Sequence, residues 1–149
     1  MVRIIGLLGN KRSGKDTAGN YLVEKYGYKR YAFGDPIKEI SRHLFNLDDS
    51  QLYGDKKEVV DERWNLKPRT IFQRLGTEFG QYTIYNIFPE LKTKFNNRQL
   101  WVYHFELWLK EEIQNNKNIN IVITDVRFKH EIEIIKKYGG DIIKIYNPK

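Results

Sequence analysis

Apolar and polar positions change period several times along the chain, and each change marks an element. Residues 3 to 8, Arg3-Ile4-Ile5-Gly6-Leu7-Leu8, form a nearly continuous apolar run that reads as a buried strand. Ala18, Tyr21, Leu22 and Tyr26 recur at helical spacing, predicting a helix that starts near Gly14, buries those four side chains and ends at Gly27. Residues 29 to 33 predict a short second strand. Asp35 and Pro36 open another helix as N-cap and first helical residue, with Ile37, Ile40 and Leu44 as its apolar positions. Residues 47 to 67 are polar and irregular in pattern. Pro68 starts a third helix in which Ile71, Phe72, Leu75 and Phe79 form one stripe, leaving Arg69, Gln73, Gly76 and Thr77 along a neighbouring face. Beyond it the pattern predicts a helix over 98 to 115, a fully buried strand over 119 to 124, a helix over 129 to 138 closed by Gly139-Gly140, and a last strand over 141 to 146. Strands that alternate with helices imply an α/β fold, a short parallel sheet of four strands between two helical layers.

The step from the first strand to the first helix carries the most chemistry. Residues 9 to 17 read GNKRSGKDT, the spacing of a phosphate-binding loop between a strand and a helix. Gly9 and Gly14 permit backbone angles that turn successive N–H groups inward around a triphosphate. Lys15 puts a cation on the outer oxygens, and the helix N-terminus adds its partial positive charge. The usual pattern has Ser or Thr directly after the lysine to hold Mg²⁺; here Asp16 takes that place and Thr17 follows. The plainer alternative is a glycine-rich turn that only joins strand to helix. A second informative segment, Ile121-Val122-Ile123-Thr124-Asp125-Val126-Arg127, is a buried strand that delivers Asp125 and Arg127 at its carboxyl end, where open α/β sheets bind ligands. Asp125 there can hold a water of a Mg²⁺ shell or a substrate hydroxyl, and Arg127 can offer its fork to phosphate oxygens. Alternatively Asp125 caps the next helix and Arg127 is a surface charge.

Composition narrows the class. A chain of 149 residues fits one domain with a real core. With no cysteine there are no disulfides or thiolate metal sites, and His43, His104 and His130 are too scattered for zinc, so any metal is expected to be Mg²⁺ held by phosphates. No apolar run is long enough for a membrane, and the start is too short for a secretory signal, so an intracellular protein is expected. The net charge of +7 attracts polyanions without choosing between a nucleic acid and a small phosphorylated substrate.

The segments GNKRSGKDT, FGDPIKE, PRTIFQRLGTE, Trp101 in an aromatic helix, ITDVRFKHEIE and YGGDIIKIYNP come in the same order as in a known family. Over nearly its whole length the chain resembles the deoxynucleoside monophosphate kinases of large DNA bacteriophages and related viral or bacterial proteins, and the GKDT variant of the loop occurs in that family too. The resemblance implies a P-loop NTPase fold of the nucleoside monophosphate kinase type. It also implies transfer of the γ-phosphoryl group of ATP, with Mg²⁺, to a deoxynucleoside monophosphate for nucleotide supply in the cytoplasm, that of the host for a viral protein.

Carried over by residue, the resemblance implies that Gly9, Asn10, Lys11, Arg12, Ser13, Gly14, Lys15, Asp16 and Thr17 hold the ATP phosphates, with Asp16 and Thr17 arranging the metal or its waters. Lys15, Asp16, Asp125 and Arg127 would form the catalytic set. Arg69, Thr70, Gln73, Gly76 and Thr77 correspond to the monophosphate-binding helix, and Asp125 also faces the acceptor. Trp101 corresponds to an aromatic that packs on the acceptor, although Trp101, Phe105 and Trp108 at helical spacing also suit a plain core. Lys38 and Arg42, four apart, either complete a cationic pocket or lie on a solvated helix face. Residues 47 to 67, with Asp48, Asp49, Asp55, Lys56 and Lys57, are either a mobile flap over the acceptor or an ordinary surface loop. A preference for deoxynucleotides would arise by crowding of the 2′ position, with Trp101 or Phe72 as the bulky neighbour.

Family members usually continue past the last strand with a lid, another strand and a helix, whereas this sequence stops at Lys149. The expectation is therefore either an open donor site or one covered by a partner subunit, as in a homodimer. Competing classes are a P-loop nucleotide binder without turnover and a basic nucleic-acid-binding domain that stacks bases on Tyr and Trp, which leaves Asp125 and Arg127 unexplained. The nearest alternative enzyme is a dephospho-coenzyme A kinase, which lacks the PRTIFQRLGT helix.

Overall fold

The structure, a computed structural model, describes residues 1–10, 13–95 and 99–147. In chain order its elements are β1 (Arg3–Leu8), α1 (Lys15–Tyr26), β2 (Lys29–Tyr31), α2 (Gly34–Phe45), α3 (Asp49–Leu52), α4 (Pro68–Gln73), a π-helix (Arg74–Thr83), α5 (Ile84–Ile87), a 3₁₀ helix (Pro89–Thr93), α6 (Leu100–Asn115), β3 (Asn120–Val126), α7 (Lys129–Lys137) and β4 (Asp141–Lys144). They divide into two compact units, Met1–Phe33 with Trp101–Lys149, and Gly34–Leu100. No helix among the described residues is long and apolar enough to cross a membrane.

In the first unit the four strands form one parallel sheet in the order β2-β3-β1-β4, as the alternation of strands and helices predicts. Successive side chains of a strand point to opposite faces, and β3 feeds a core on each. Ile121, Ile123 and Val126 pack with Phe105 and Leu109 of α6 and Ile134 and Ile135 of α7. Val122 faces the other way, with Leu7 and Tyr28, against Ala18, Leu22 and Val23 of α1. Burying each such aliphatic side chain is worth about 1.5–3 kcal/mol, so both faces of the sheet are energetically closed.

Tyr21 and Tyr26, expected inside, are 51% and 57% exposed. They pack edge to face on each other, ring centroids 5.8 Å apart, with the Lys25 ammonium 5.4 and 6.0 Å from the two rings. The buried stripe of α1 runs instead through Ala18, Gly19, Leu22 and Val23, which turns Tyr21 outward and leaves Tyr26 at the helix end. Gly19 explains the shift: a Cβ there would stand 2.5 Å from Cγ2 of buried Thr124, so the helix approaches β3 more closely than any side chain allows. A large-residue reading of the helical period could not see a contact made by the smallest residue.

The second unit gives residues 47–67 more structure than their pattern suggested. Asp48 accepts from Gln51 N at 3.0 Å while Gln51 Oε1 accepts from Asp48 N at 2.9 Å, a reciprocal cap that starts α3. Leu47 and Leu52 form a core with Ile71, against which Phe72 and Leu75 pack. Asp61 accepts from Gln51 Nε2 at 2.8 Å and from Arg63 Nε and Nη2 at 3.0 and 2.6 Å. These bonds, the Arg63 guanidinium first, hold the Asp61 carboxyl well below the usual carboxylate range.

The helix expected from Pro68 through Phe79 is α-helical only to Gln73 and then widens into the π-helix. The stripe is therefore broken: Gly76, Gly80 and Gln81 are the buried positions of the wide segment, and a Cβ on Gly76 would come within 3.0 Å of Ile37 Cδ1. In α2, Asp35 belongs to the first turn rather than standing before it, and Ile40 and Leu44 are exposed.

The Gly19 contact yields a direct test. Gly19→Ala should destabilise the protein by about 1–3 kcal/mol through overpacking, and adding Thr124→Ser, which deletes the clashing methyl, should recover most of that loss. Denaturant midpoints of the two variants and the double variant measure it; additive losses would show that the contact is not the cause.

Candidate active site

β1 and β3 pair in parallel up to Leu8 opposite Val126, so residues 9 and 127 leave the sheet side by side at its carboxyl end. The loop after β1 turns through Ser13 N donating to Asn10 O at 3.0 Å. Gly14 then takes φ +98°, the left-handed region that favours glycine, and its carbonyl accepts the Ala18 N–H at 2.9 Å as the first bond of α1. Gly9 has no room for a side chain, because a Cβ would lie 2.6 Å from Ile145 O and 2.7 Å from Ser13 Oγ. Ser13 Oγ is itself buried without a protein hydrogen-bond partner. Lys15 opens the helix, half-buried, and Asp16 and Thr17 are exposed in its first turn. Lys11 and Arg12 lie outside the described residues.

This arrangement suits nucleotide phosphates. The orphaned hydroxyl and the α1 N-terminus supply donors, Lys15 supplies charge, and the two glycines let the backbone come close. Among the described residues no group of three His, Asp or Glu side chains could hold a metal alone, so Mg²⁺ at Asp16 and Thr17 would rely on phosphate oxygens and water for its remaining ligands. Beside the loop lies an apolar groove of about 560 Å³, lined by Leu7, Thr17, Ala18, Tyr21, Ile143 and Ile145 among others.

At the end of β3, Asp125 is half-buried, and its Oδ1 accepts the N–H of Phe33 at 2.8 Å, tying β3 to the residue that follows β2 and Ala32. The turn into the next helix is held by Glu131, which sequence reasoning did not single out: its Oε1 accepts from Arg127 N at 2.8 Å and from Phe128 N at 3.0 Å. The N-cap residue is Phe128, which has no side-chain acceptor, so the usual Ser, Thr or Asp signal is missing and only a glutamate at the third helical position hints at the bond. Glu131 is 6% exposed, and burial pushes its carboxyl up to about 7, helped by the Asp125 charge and opposed by the two backbone donors and Arg127. Arg127 itself is exposed.

Of the residues expected at the acceptor, the second unit holds Arg69 and Thr70 half-buried at the start of α4, Gln73 exposed at its end, and buried Gly76 and exposed Thr77 in the π-helix. Arg69 Nε donates to Glu58 Oε1. Arg42 is committed to carboxylates, at 3.0 Å to Glu39 and 2.6 Å to Asp49, an arrangement that staples α3 to α2. Lys38 stands 5.0 Å from the centre of the Tyr53 ring. Trp101, in the first unit, is half-buried with its ring 6.4 Å from that of His104; Phe105 is fully buried core, and Trp108 packs partly buried against it and Tyr31. Phe72 packs against the core of the second unit.

A parallel sheet of this order, with a glycine-rich loop joining its central strand to the first helix, defines an α/β fold of the P-loop kinase type. Residues 3–67 match the family model described as deoxynucleotide monophosphate kinase. The chain is also 39% identical, over 148 residues, to a protein of Acanthamoeba polyphaga mimivirus described as "Putative deoxynucleotide monophosphate kinase"; the match covers 97% of this chain and 74% of that protein. The chain belongs to the deoxynucleotide monophosphate kinase family and is a kinase.

Glu131 carries a pH signature. Its ordinary value is 4.5 and its folded value about 7, so the folded protein takes up a proton between those limits. That contribution to stability is fully present below about pH 4.5 and lost as pH rises through 7, at most about 3 kcal/mol. Glu131→Gln should remove this fall, and chemical denaturation of both chains at pH 5.5 and 7.5 checks it; equal slopes would count against a buried, protonatable Glu131.

Proposed function

We propose that the protein transfers a phosphoryl group from ATP to a deoxynucleoside monophosphate, giving ADP and a deoxynucleoside diphosphate. The observation that carries this reading is the register of β1 and β3, which brings the phosphate-binding loop and the Asp125–Arg127 turn out of the sheet together in a chain of this family. Such transfer needs positioning and positive charge more than acid–base groups, which agrees with a loop built of backbone N–H groups and cations. Mg²⁺, held with the donor by Asp16 and Thr17 or their waters, would supply positive charge that offsets that of the phosphates.

The chain's own residues have separable tasks in this proposal. Backbone donors of residues 9–17 and the Ser13 hydroxyl hold the donor phosphates, and Lys15 neutralises charge on the transferred group. Asp16 and Thr17 orient the metal or its waters. Arg127 fits the developing phosphate charge, and Asp125, already holding Phe33 N, orients the acceptor side. On the acceptor, Arg69 takes the monophosphate by exchanging Glu58 for it, Thr70 and Thr77 offer hydroxyls, and Gln73 reaches a base edge or sugar. Trp101 excludes a 2′-hydroxyl by bulk, which is how a site prefers a substrate that lacks a group. Lys38 and Arg42 are assigned no part, since Arg42 has two carboxylate partners and Lys38 an aromatic one.

Two experiments test the assignment. Lys15→Ala should lower kcat by about 10²-fold or more without unfolding the protein, read as ADP formation from ATP with a panel of deoxynucleoside monophosphates and dephospho-coenzyme A. Undiminished turnover would sink the reading, and a preference for dephospho-coenzyme A would replace it. Arg69→Ala and Gln73→Ala should raise the KM for the monophosphate on the order of 10- to 100-fold while leaving that for ATP nearly unchanged. Equal losses for both nucleotides would show that the donor and acceptor roles are misassigned.

A further inference from the structure

Glu131 is a buried carboxylate that accepts its hydrogen bonds from one short turn. Oε1 receives the N–H groups of Arg127 and Phe128 together, at 2.8 and 3.0 Å, and the residue is 6% exposed. Burying a carboxylate is expensive unless it is well hydrogen-bonded, and here the bonds are spent on the two residues between β3 and α7. Val126, just before them, is fully buried and seated in the sheet opposite Leu8. Arg127 thus leaves a backbone held on one side by the core and on the other by Glu131, while its own side chain is exposed. The helix could be capped more cheaply by a Ser or Asp at position 128, but such a side chain would reach the amides of the helix rather than the amide of Arg127.

From this geometry we infer that Glu131 is a positioning residue for phosphoryl transfer: it fixes the backbone of Arg127 so that the guanidinium is presented in one orientation to the reacting phosphates. The inference rests on the role given to Arg127 in the proposed function. Asp125 completes the arrangement from the other side, its bond to Phe33 N anchoring the residue two before Arg127. Preorganisation of this kind acts on the transition state, where an arginine displaced by an ångström loses most of its effect.

The test is a double-mutant cycle in the full chain, with Glu131→Ala, Glu131→Gln, Arg127→Ala and Arg127→Ala with Glu131→Ala. Each is assayed with ATP and the best-used deoxynucleoside monophosphate, and exchange of the Arg127 and Phe128 amides is followed by NMR. Glu131→Ala should lower kcat on the order of 10- to 100-fold with little change in either KM, and should speed exchange of the two amides. Glu131→Gln keeps an oxygen that can accept both N–H groups and should restore kcat to within about threefold, and amide protection with it. In the Arg127→Ala background the Glu131→Ala change should do almost nothing further, because the group it positions is gone. Unchanged kcat in a folded Glu131→Ala protein, or a full additional loss in the Arg127→Ala background, overturns the inference. Full activity of Arg127→Ala overturns it as well but leaves the kinase reading standing. Absence of turnover by the wild-type chain with every deoxynucleoside monophosphate overturns both.

Discussion

The parallel pairing of β1 with β3, Arg3 opposite Asn120 through Leu8 opposite Val126, is the constraint on which the rest of the first unit depends. It makes both strands central, so each must be covered on two faces, and this demands α1 on one side and α6 with α7 on the other. It also sets the ends of the two strands level. The glycine-rich loop after β1 and the Asp125–Arg127 turn come together because the ladder between their strands has that register, and a slip by two residues would carry one past the other by about 7 Å.

Close approach is what the glycines contribute. At Gly19 the helix comes near enough to β3 that a single methyl on Thr124 fills the gap, and at Gly9 the loop lies against Ile145 O and Ser13. Both contacts hold α1 with its N-terminus over the end of β1, where its backbone donors can face an anion. The cost is an unpartnered Ser13 hydroxyl, which a phosphate oxygen would satisfy.

Several of the charges in this protein are paired. Arg42 joins Glu39 and Asp49, Arg63 joins Asp61, Arg69 meets Glu58, and Lys29 and Lys137 pair with Glu112 and Glu106. Most are partly exposed pairs that contribute little to stability individually. The buried members matter more: Asp61 knits α3 to the segment before Pro68, and Glu131 holds the turn between β3 and α7. Each such pair is neutral, so the net charge of +7 is the excess of cations that pairing leaves available to a ligand.

The strand and helix order, the parallel sheet and the loop 9–17 were legible in the sequence, because apolar runs of β length alternate with helical periods and because glycine and lysine spacing encodes a local backbone path. Asp125 and Arg127 were legible as the carboxyl end of a buried strand. The outward tyrosines of α1, the π-helix after Gln73, the hydrogen-bonded order within residues 47–67 and the part played by Glu131 were decided only by tertiary structure. Each depends on contacts with residues distant in sequence or on hydrogen bonds that periodicity does not encode. Gly19 meets Thr124 across more than a hundred positions, and Glu131 reaches back to amides that any residue could have supplied. Sequence alone determined which segments are strands and helices and where the glycine-rich loop lies, since those follow from local pattern; the fold decided which strands pair and which side chains are buried, since that follows from what packs against them.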